Sequence, residues 1–153
     1  MVEPEIKIRY LKVNFIGLAM IGSVFLCALV VEILKRTLAP FPGLAGLTPA
    51  QAQNLKYFFV ALALADFFLI KFLQKILGFG SAQQLIRAAI ISYALSESVA
   101  VLGLVLFLMA GNAMDFYTFM FLSLFYFWFF FPRIKDWEVK LQAPSARGGN
   151  LTN

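Results

Sequence analysis

Four long apolar segments dominate the sequence, and they constrain the fold more than any other feature. They cover about residues 13–34, 57–77, 85–110 and 116–132. Each has about the 17–25 residues that an α-helix needs to cross a hydrocarbon core about 30 Å thick. In lipid the backbone must satisfy its own hydrogen bonds, which helices do within a single segment. The sequence therefore predicts an all-α fold: an integral membrane four-helix bundle formed by a single domain at residues 1–142, followed by a disordered tail at 143–153.

Composition supports lipid as the main solvent and excludes several classes of function. Hydrophobic residues make up 61% of the chain and charged residues only 14%. The chain has no histidine and a single cysteine, Cys27, so we expect no disulfide framework, no haem or zinc ligation and no cofactor. It has no nucleophile–base pair and no phosphate-binding loop, so we do not expect an enzyme.

The basic residues indicate how the bundle is oriented. Three of the 13 Lys and Arg residues, Lys35, Arg36 and Lys56, flank the long loop at 37–54. The other ten lie near the termini or the second connection: Lys7, Arg9, Lys12, Lys71, Lys75, Arg87, Arg133, Lys135, Lys140 and Arg147. This bias predicts a multi-pass protein of the cell (inner) membrane with both termini cytoplasmic. Cations at the ends of apolar runs suit a lipid bilayer as the partner, and not nucleic acid.

The connections carry recognisable signals for helix ends. Thr48 followed by Pro49 predicts an N-cap and a first helical position. The segment 78–81 can end the second helix and begin the third, with Ser81 as N-cap and Gln84 completing a capping box. The short turn at 111–115 joins the third helix to the fourth. Both of these connections predict antiparallel neighbours.

Two acids interrupt the apolar segments. Asp66 lies fifteen residues before Ser81, and Glu97 lies sixteen residues after it. At about 1.5 Å per residue, both carboxylates are expected at about 22–24 Å from the turn, nearly level on neighbouring helices and close to the bilayer midplane. A carboxylate at that depth is costly and indicates a functional site.

Two carboxylates at one depth can hardly both be ionised without a cation, which predicts a site for H⁺ or Na⁺. Glu97 is the main candidate ligand, with Asp66 as the second and Ser96 and Tyr93 as neighbours. A structural interpretation is also open. Asp66 could pair with Lys71, or each acid could be protonated and hydrogen-bonded to a serine.

Small residues form a stripe on the third segment, where another helix is expected to approach closely. The stripe consists of Ala89, Ser92, Ser96, Ala100 and Gly103, at spacings of three or four residues. The fourth segment is instead aromatic on every side, which favours a helix that faces lipid or a partner. Its end, 128–137, has the pattern of an interfacial anchor.

The third segment also resembles a known family. Ile86-Arg87-Ala88-Ala89, and then residues 94–105 with the sequence ALSESVAVLGLV, look like the carboxylate-bearing helix of the proteolipid c subunit of rotary ATPases. The resemblance covers about 20 residues of this one helix. It implies that Glu97 takes the ion-carrying position, Gly103 a close-packing position and Arg87 the cytoplasmic boundary.

Two functions therefore stay open. The first is a proton- or cation-binding bundle that uses Glu97 and Asp66 and forms a homo-oligomer. The second is a structural or assembly subunit of a larger membrane complex, in which both acids are neutral and hydrogen-bonded.

Overall fold

The computed structural model describes residues 4–77 and 82–131, which form four α-helices. They are α1 (Pro4–Thr37), α2 (Pro49–Leu77), α3 (Ala82–Ala110) and α4 (Ala113–Phe130). All four are long and apolar enough to cross a membrane, which confirms the all-α, four-helix prediction at that level. The predicted turn at 78–81 with its Ser81 cap, the anchor beyond 131 and the tail at 143–153 lie outside the described residues.

The helices extend beyond the predicted apolar segments. α1 begins at Pro4 and α2 at Pro49, each about eight or nine residues earlier than the apolar run. Polar residues continue these helices because a long helix keeps its backbone hydrogen bonds after it leaves an apolar stretch. α4 ends at Phe130, two residues before the predicted end at 132.

The start of α2 confirms the predicted cap. The Thr48 hydroxyl accepts a hydrogen bond from the Gln51 amide (3.4 Å), and the Gln51 side chain accepts one from the Thr48 amide (3.0 Å). This reciprocal pair satisfies two donors that a helix N-terminus would otherwise leave free. Pro49 then occupies the first helical position, where its missing N–H costs nothing.

The helices alternate in direction, and α3 packs against each of the other three. The loop at 38–48 lies with the α3–α4 connection at one end, here called the loop end. The opposite end, where α1 begins and α4 ends, is called the terminal end. Two apolar clusters lie on either side of α3 and α4. One includes Val13, Val24 and Val31 of α1, and the other includes Phe59, Ala63 and Ile70 of α2.

Close packing of α3 on α4 depends on small residues. A Cβ atom on Gly103 would lie 2.5 Å from the Phe119 Cβ, so only glycine fits there. The Ser123 hydroxyl on α4 donates to the Ser96 carbonyl (2.6 Å), and both serines are fully buried. Within the stripe, Ala89, Ser92 and Ala100 are buried as well. The stripe thus lies in the interior of this single chain.

α4 is more central than its aromatic sequence predicts. Eight of its 18 residues are buried, including Phe116, Phe119 and Phe127. The aromatic residues divide between the core and the outer surface, where Phe121 is 66% and Trp128 76% exposed. An all-round aromatic helix carries no amphipathic signal, so its sequence could not indicate which face is covered.

The loop at 38–48 packs on the C-terminal end of α3. The Leu44 amide donates to the Leu108 carbonyl (2.7 Å), and the Phe41 ring contacts Phe107 at a centroid distance of 5.1 Å. The α3 helix ends at Ala110 and is followed by Gly111, whose φ of +74° is the left-handed conformation typical of the residue after a helix C-terminus. These contacts satisfy carbonyl groups that the end of a helix leaves free.

Candidate functional site

Asp66 and Glu97 line the same groove. The groove lies between α2 and α3 and has a volume of about 410 Å³; its lining is completed by Leu62, Ala94, Ser98, Val101 and Leu102. Both acids are partly buried. The structure therefore places the two predicted carboxylates at one level of the bundle. Apart from these acids and Ser98, the groove is lined by apolar side chains, so the charge of an ionised acid is poorly solvated there.

Glu97 is also hydrogen-bonded to α1. The Ser23 hydroxyl donates a hydrogen bond to the Glu97 carboxylate. The same hydroxyl oxygen lies 2.7 Å from the carbonyl of Met20, three residues earlier on α1. Ser23 thus has two acceptors within reach, and only one of them is an acid.

Asp66 has a matching arrangement with α3. The Ser98 hydroxyl donates to the Asp66 carboxylate over 3.0 Å, and it lies 2.7 Å from the carbonyl of Leu95, again three residues earlier. Each acid therefore bonds to a serine on a neighbouring helix, and each serine can bond to its own helix backbone instead. The structure brings together two copies of one hydrogen-bonding unit.

The cation nearest to Asp66 in sequence is not its partner. The Lys71 ammonium lies over the Phe67 ring at 4.8 Å and near the Phe129 ring at 5.7 Å. Such cation–π contacts stabilise a lysine within an aromatic surface. Of the two structural arrangements that the sequence left open for the acids, the observed contacts correspond to the serine bonds.

Ser96 and Tyr93 lie outside the groove. The Ser96 hydroxyl donates to the Ser92 carbonyl (2.8 Å) and its backbone accepts from α4. Tyr93 is fully buried, with its ring near Phe127 at 5.9 Å and Phe131 at 5.7 Å. Neither side chain contributes an oxygen to the groove between α2 and α3, since they face α4 and α1 instead.

Neither serine partner, Ser23 on α1 or Ser98 on α3, was predicted from the sequence as part of the site. Ser23 lies fourteen residues before the end of α1, and Glu97 lies thirteen before the end of α3. A polar residue at matched depth on a parallel helix was the signal that could have identified Ser23.

A second polar cluster at the loop end was also missed. The Lys56 ammonium contacts the Asp115 carboxylate at 2.6 Å, and the Asn112 side chain donates to the same carboxylate (3.0 Å). A cavity of about 360 Å³ lies beside it. Because Lys56 and Asp115 neutralise each other and Asn112 also caps α4, the cluster ties α2 to α4.

Comparison with known proteins gives no match: no family model, no curated protein and no solved structure is similar to this chain at a significant level. Among the described residues no three side chains are grouped as metal ligands.

Proposed function

We propose that this chain is a multi-pass protein of the cell membrane that binds protons at the Glu97–Asp66 groove. Both termini are cytoplasmic in this proposal, which places the terminal end inside and the loop end outside. The observation that supports proton binding is the repeated unit of one acid, one serine and one backbone carbonyl.

The unit can hold its acid in either protonation state without losing a hydrogen bond. A serine hydroxyl has one hydrogen and two lone pairs. When Glu97 is ionised, Ser23 donates to it. When Glu97 is protonated, the carboxyl donates to Ser23, and Ser23 donates to the Met20 carbonyl instead. Ser98 and Leu95 offer the same alternative to Asp66.

This property favours a proton over Na⁺. A bound metal cation needs several oxygen ligands at once, whereas a proton needs one donor and one acceptor. In the lining of the groove Asp66, Glu97 and Ser98 provide the side-chain oxygens, and one oxygen of each carboxylate already accepts a hydrogen bond from a serine. The resemblance of α3 to the carboxylate-bearing helix of the proteolipid c subunit also supports an ion-carrying role for Glu97.

A second function is favoured by a different observation. Each acid–serine bond joins two helices, α1 to α3 and α2 to α3, so the acids can act as structural ties. In that case the chain is a structural or assembly subunit of a larger membrane complex. Large apolar side chains exposed on α1 and α2, such as Phe15 (74%) and Phe68 (67%), would face lipid or a partner.

Carbodiimide labelling separates the two functions. The purified protein is labelled from about pH 5 to about pH 9, with and without sodium, and modified peptides are identified by mass spectrometry; a protonated carboxyl reacts and an ionised one does not. Proton binding predicts that Glu97 is labelled and that its labelling falls as pH rises. Sodium protection would instead assign a cation site. No labelling of Glu97 at any pH would contradict proton exchange and favour the structural function.

A matched variant completes the test. Glu97→Gln keeps a group that can bond to Ser23 but cannot exchange a proton. Glutamine does not react with a carbodiimide under either function, so loss of the label in the folded variant assigns the labelling signal to Glu97. Glu32 serves as the control carboxylate, because its side chain is 33% exposed and it bonds to Arg36 at 2.8 Å. Its labelling should be the same in both proteins.

A further inference from the structure

The groove between α2 and α3 opens on the side of the bundle. Three of its apolar lining residues, Leu62, Ala94 and Val101, are exposed. All three lie within helices that are long and apolar enough to cross a membrane. In a membrane-embedded chain, surface exposed at this depth faces lipid. A ligand can therefore enter the groove sideways, from the bilayer.

The groove carries acids but no cation of its own. Asp66 and Glu97 line it, and no lysine or arginine is among the lining residues that the structure describes. The Lys71 ammonium lies over the Phe67 ring and near the Phe129 ring instead. A charged carboxylate in apolar surroundings is stabilised when an opposite charge lies beside it. A ligand with a positive charge therefore complements the groove.

The size and lining of the groove favour an organic cation over a hydrated inorganic ion. Its volume of about 410 Å³ lies within the range of about 300–1,000 Å³ that is typical of small-molecule sites. Such sites combine a mostly apolar lining with a few polar groups, as this groove does. An inorganic ion loses its water when it enters apolar surroundings. A lipophilic cation instead brings apolar surface for the lining and a charge for the acids.

We propose that the groove binds lipophilic monovalent organic cations, such as quaternary ammonium or phosphonium compounds, in exchange for a proton on Glu97 or Asp66. This inference rests on the proposed proton binding at the same groove and names the ligand that competes with the proton. One bound cation replaces one proton, which passes to the solvent. The affinity for the cation therefore rises with pH.

The other titratable groups that interact with the acids come from α1 and α4. Glu97 interacts electrostatically with the Cys27 thiol of α1, and Asp66 with the Tyr126 phenol of α4. Thiols and phenols ordinarily ionise near about pH 8.5 and about pH 10. Both groups are therefore largely neutral from about pH 5 to about pH 7.5. A change in cation binding over this range reports the two acids.

The first test is equilibrium binding of radiolabelled tetraphenylphosphonium to the full chain in lipid nanodiscs, with empty nanodiscs subtracted. Because one proton is exchanged for each cation, the Kd should fall by up to about tenfold per pH unit between about pH 5 and about pH 7.5. Tetraphenylborate has the same shape and the opposite charge, so it should not compete. Binding that does not change with pH, or equal competition by tetraphenylborate, would overturn the proposal.

Variants test the charge and the volume of the groove separately. At least one of Glu97→Gln and Asp66→Asn should weaken binding by about tenfold or more, and the one that does so holds the exchanged proton. Ala94→Phe fills the groove and keeps both acids, so it should weaken binding to a similar extent. Its matched control is Ala19→Phe, at an exposed alanine of α1 outside the lining, which should leave binding unchanged.

Two results with these variants would contradict the groove as the binding site. One is unchanged binding in both acid variants, and the other is unchanged binding in Ala94→Phe. Ala94→Phe keeps the test decisive even where an acid variant fails to fold.

Carbodiimide labelling distinguishes failure of this inference from failure of proton binding. Tetraphenylphosphonium should slow the labelling of Glu97 and leave that of Glu32 unchanged. If Glu97 shows pH-dependent labelling but the chain binds no cation, proton binding stands and the organic cation is ruled out as a ligand. If neither is observed, both proposals are wrong.

Discussion

At the scale of single residues, serines determine how the acids are held. The Ser98 hydroxyl joins the Asp66 carboxylate on α2 to α3. Ser98→Ala removes that donor and leaves a partly buried carboxyl without it, so we expect a loss of about 1–2 kcal/mol in the free energy of unfolding. Unfolding by denaturing detergent measures this loss.

The control for Ser98 is Ser98→Thr, which keeps the hydroxyl. It should retain most of the stability, because threonine can also donate to Asp66 and to the Leu95 carbonyl. If the alanine and threonine variants were equally destabilised, the hydroxyl would not be the cause. The double variant with Asp66→Asn then tests whether the two positions are coupled.

Gly103 is a second residue whose substitution should change stability, because there is no room for a Cβ atom at this position. A Cβ atom there would lie 2.5 Å from the Phe119 Cβ and 3.2 Å from the Phe116 carbonyl oxygen, both on α4. Because neither of these atoms can move without moving the helix, Gly103→Ala should destabilise the fold by about 1–3 kcal/mol. Thermal unfolding in detergent measures the change.

The matched control for Gly103 is Gly22→Ala on α1. No atom lies within 4 Å of a Cβ added to Gly22. Alanine has the better helix propensity, so the variant should be neutral or up to about 1 kcal/mol more stable. Similar destabilisation at both positions would contradict the close α3–α4 contact.

At the scale of elements, the loop at 38–48 and the end of α3 form one unit. Gly111 has a φ of +74°. A Cβ atom added to Gly111 would lie 2.4 Å from the Phe41 carbonyl oxygen and 2.7 Å from backbone atoms of Pro42 and Gly43. Gly111→Ala adds both left-handed strain and a steric clash, which should destabilise the protein by about 2–3 kcal/mol.

Gly46 separates these two causes. It also has a positive φ (+56°), but a Cβ atom there would meet nothing within 4 Å. Gly46→Ala should therefore cost only the strain of about 1 kcal/mol. If Gly111→Ala and Gly46→Ala lowered the free energy of unfolding by the same amount, the clash between residue 111 and the loop would add nothing to the backbone strain.

Polar contacts join both ends of α2 to neighbouring helices, in addition to its apolar contacts. Its loop end bonds to α4 through Lys56 and Asp115, and its terminal end bonds to α3 through Gln74 and Ser92 (3.3 Å). Asp115 is only 8% exposed. Asp115→Asn leaves the Lys56 ammonium without its partner, so we expect a loss of about 1–3 kcal/mol in the free energy of unfolding.

Lys35→Gln provides the comparison for the ion pair. Lys35 lies 3.9 Å from Glu32 with 56% of its side chain exposed, and exposed pairs contribute about 0–1 kcal/mol. A loss for Lys35→Gln as large as that for Asp115→Asn would indicate that burial does not strengthen the Lys56–Asp115 contact. Denaturing-detergent titration of both variants decides this.

The elements were more predictable than the contacts between them. Apolar length identifies all four helices, and the Thr48–Pro49 pair locates the start of α2. Counting residues from the connection at 78–81 predicted that Asp66 and Glu97 lie at the same depth, and in the structure both acids line one groove. The serine partners and the burial of α4 depend on how helices rotate against each other, which weak amphipathic patterns do not determine.

At the scale of the whole molecule, the alternating directions of the helices determine how the basic residues divide between the two ends of the bundle. The alternation of the helices puts six of the nine Lys and Arg residues that the structure describes at the terminal end: Lys7, Arg9, Lys12, Lys71, Lys75 and Arg87. At the loop end, Lys35 and Arg36 pair with Glu32, and Lys56 pairs with Asp115. The terminal end therefore carries the basic excess that favours the cytoplasmic side of a membrane.

Topology can be tested with single cysteines in a background where Cys27 is replaced by alanine. Leu44, which is 77% exposed at the loop end, is changed to cysteine in one variant, and Val2 and Thr152 in two others. The proposed cytoplasmic termini predict that a membrane-impermeant maleimide added to bacterial cells with an accessible periplasm labels Leu44→Cys only. Val2→Cys and Thr152→Cys should react after lysis. Labelling of either terminal cysteine in sealed cells would contradict the cytoplasmic termini, and labelling of Val2→Cys but not Leu44→Cys would indicate the inverted orientation.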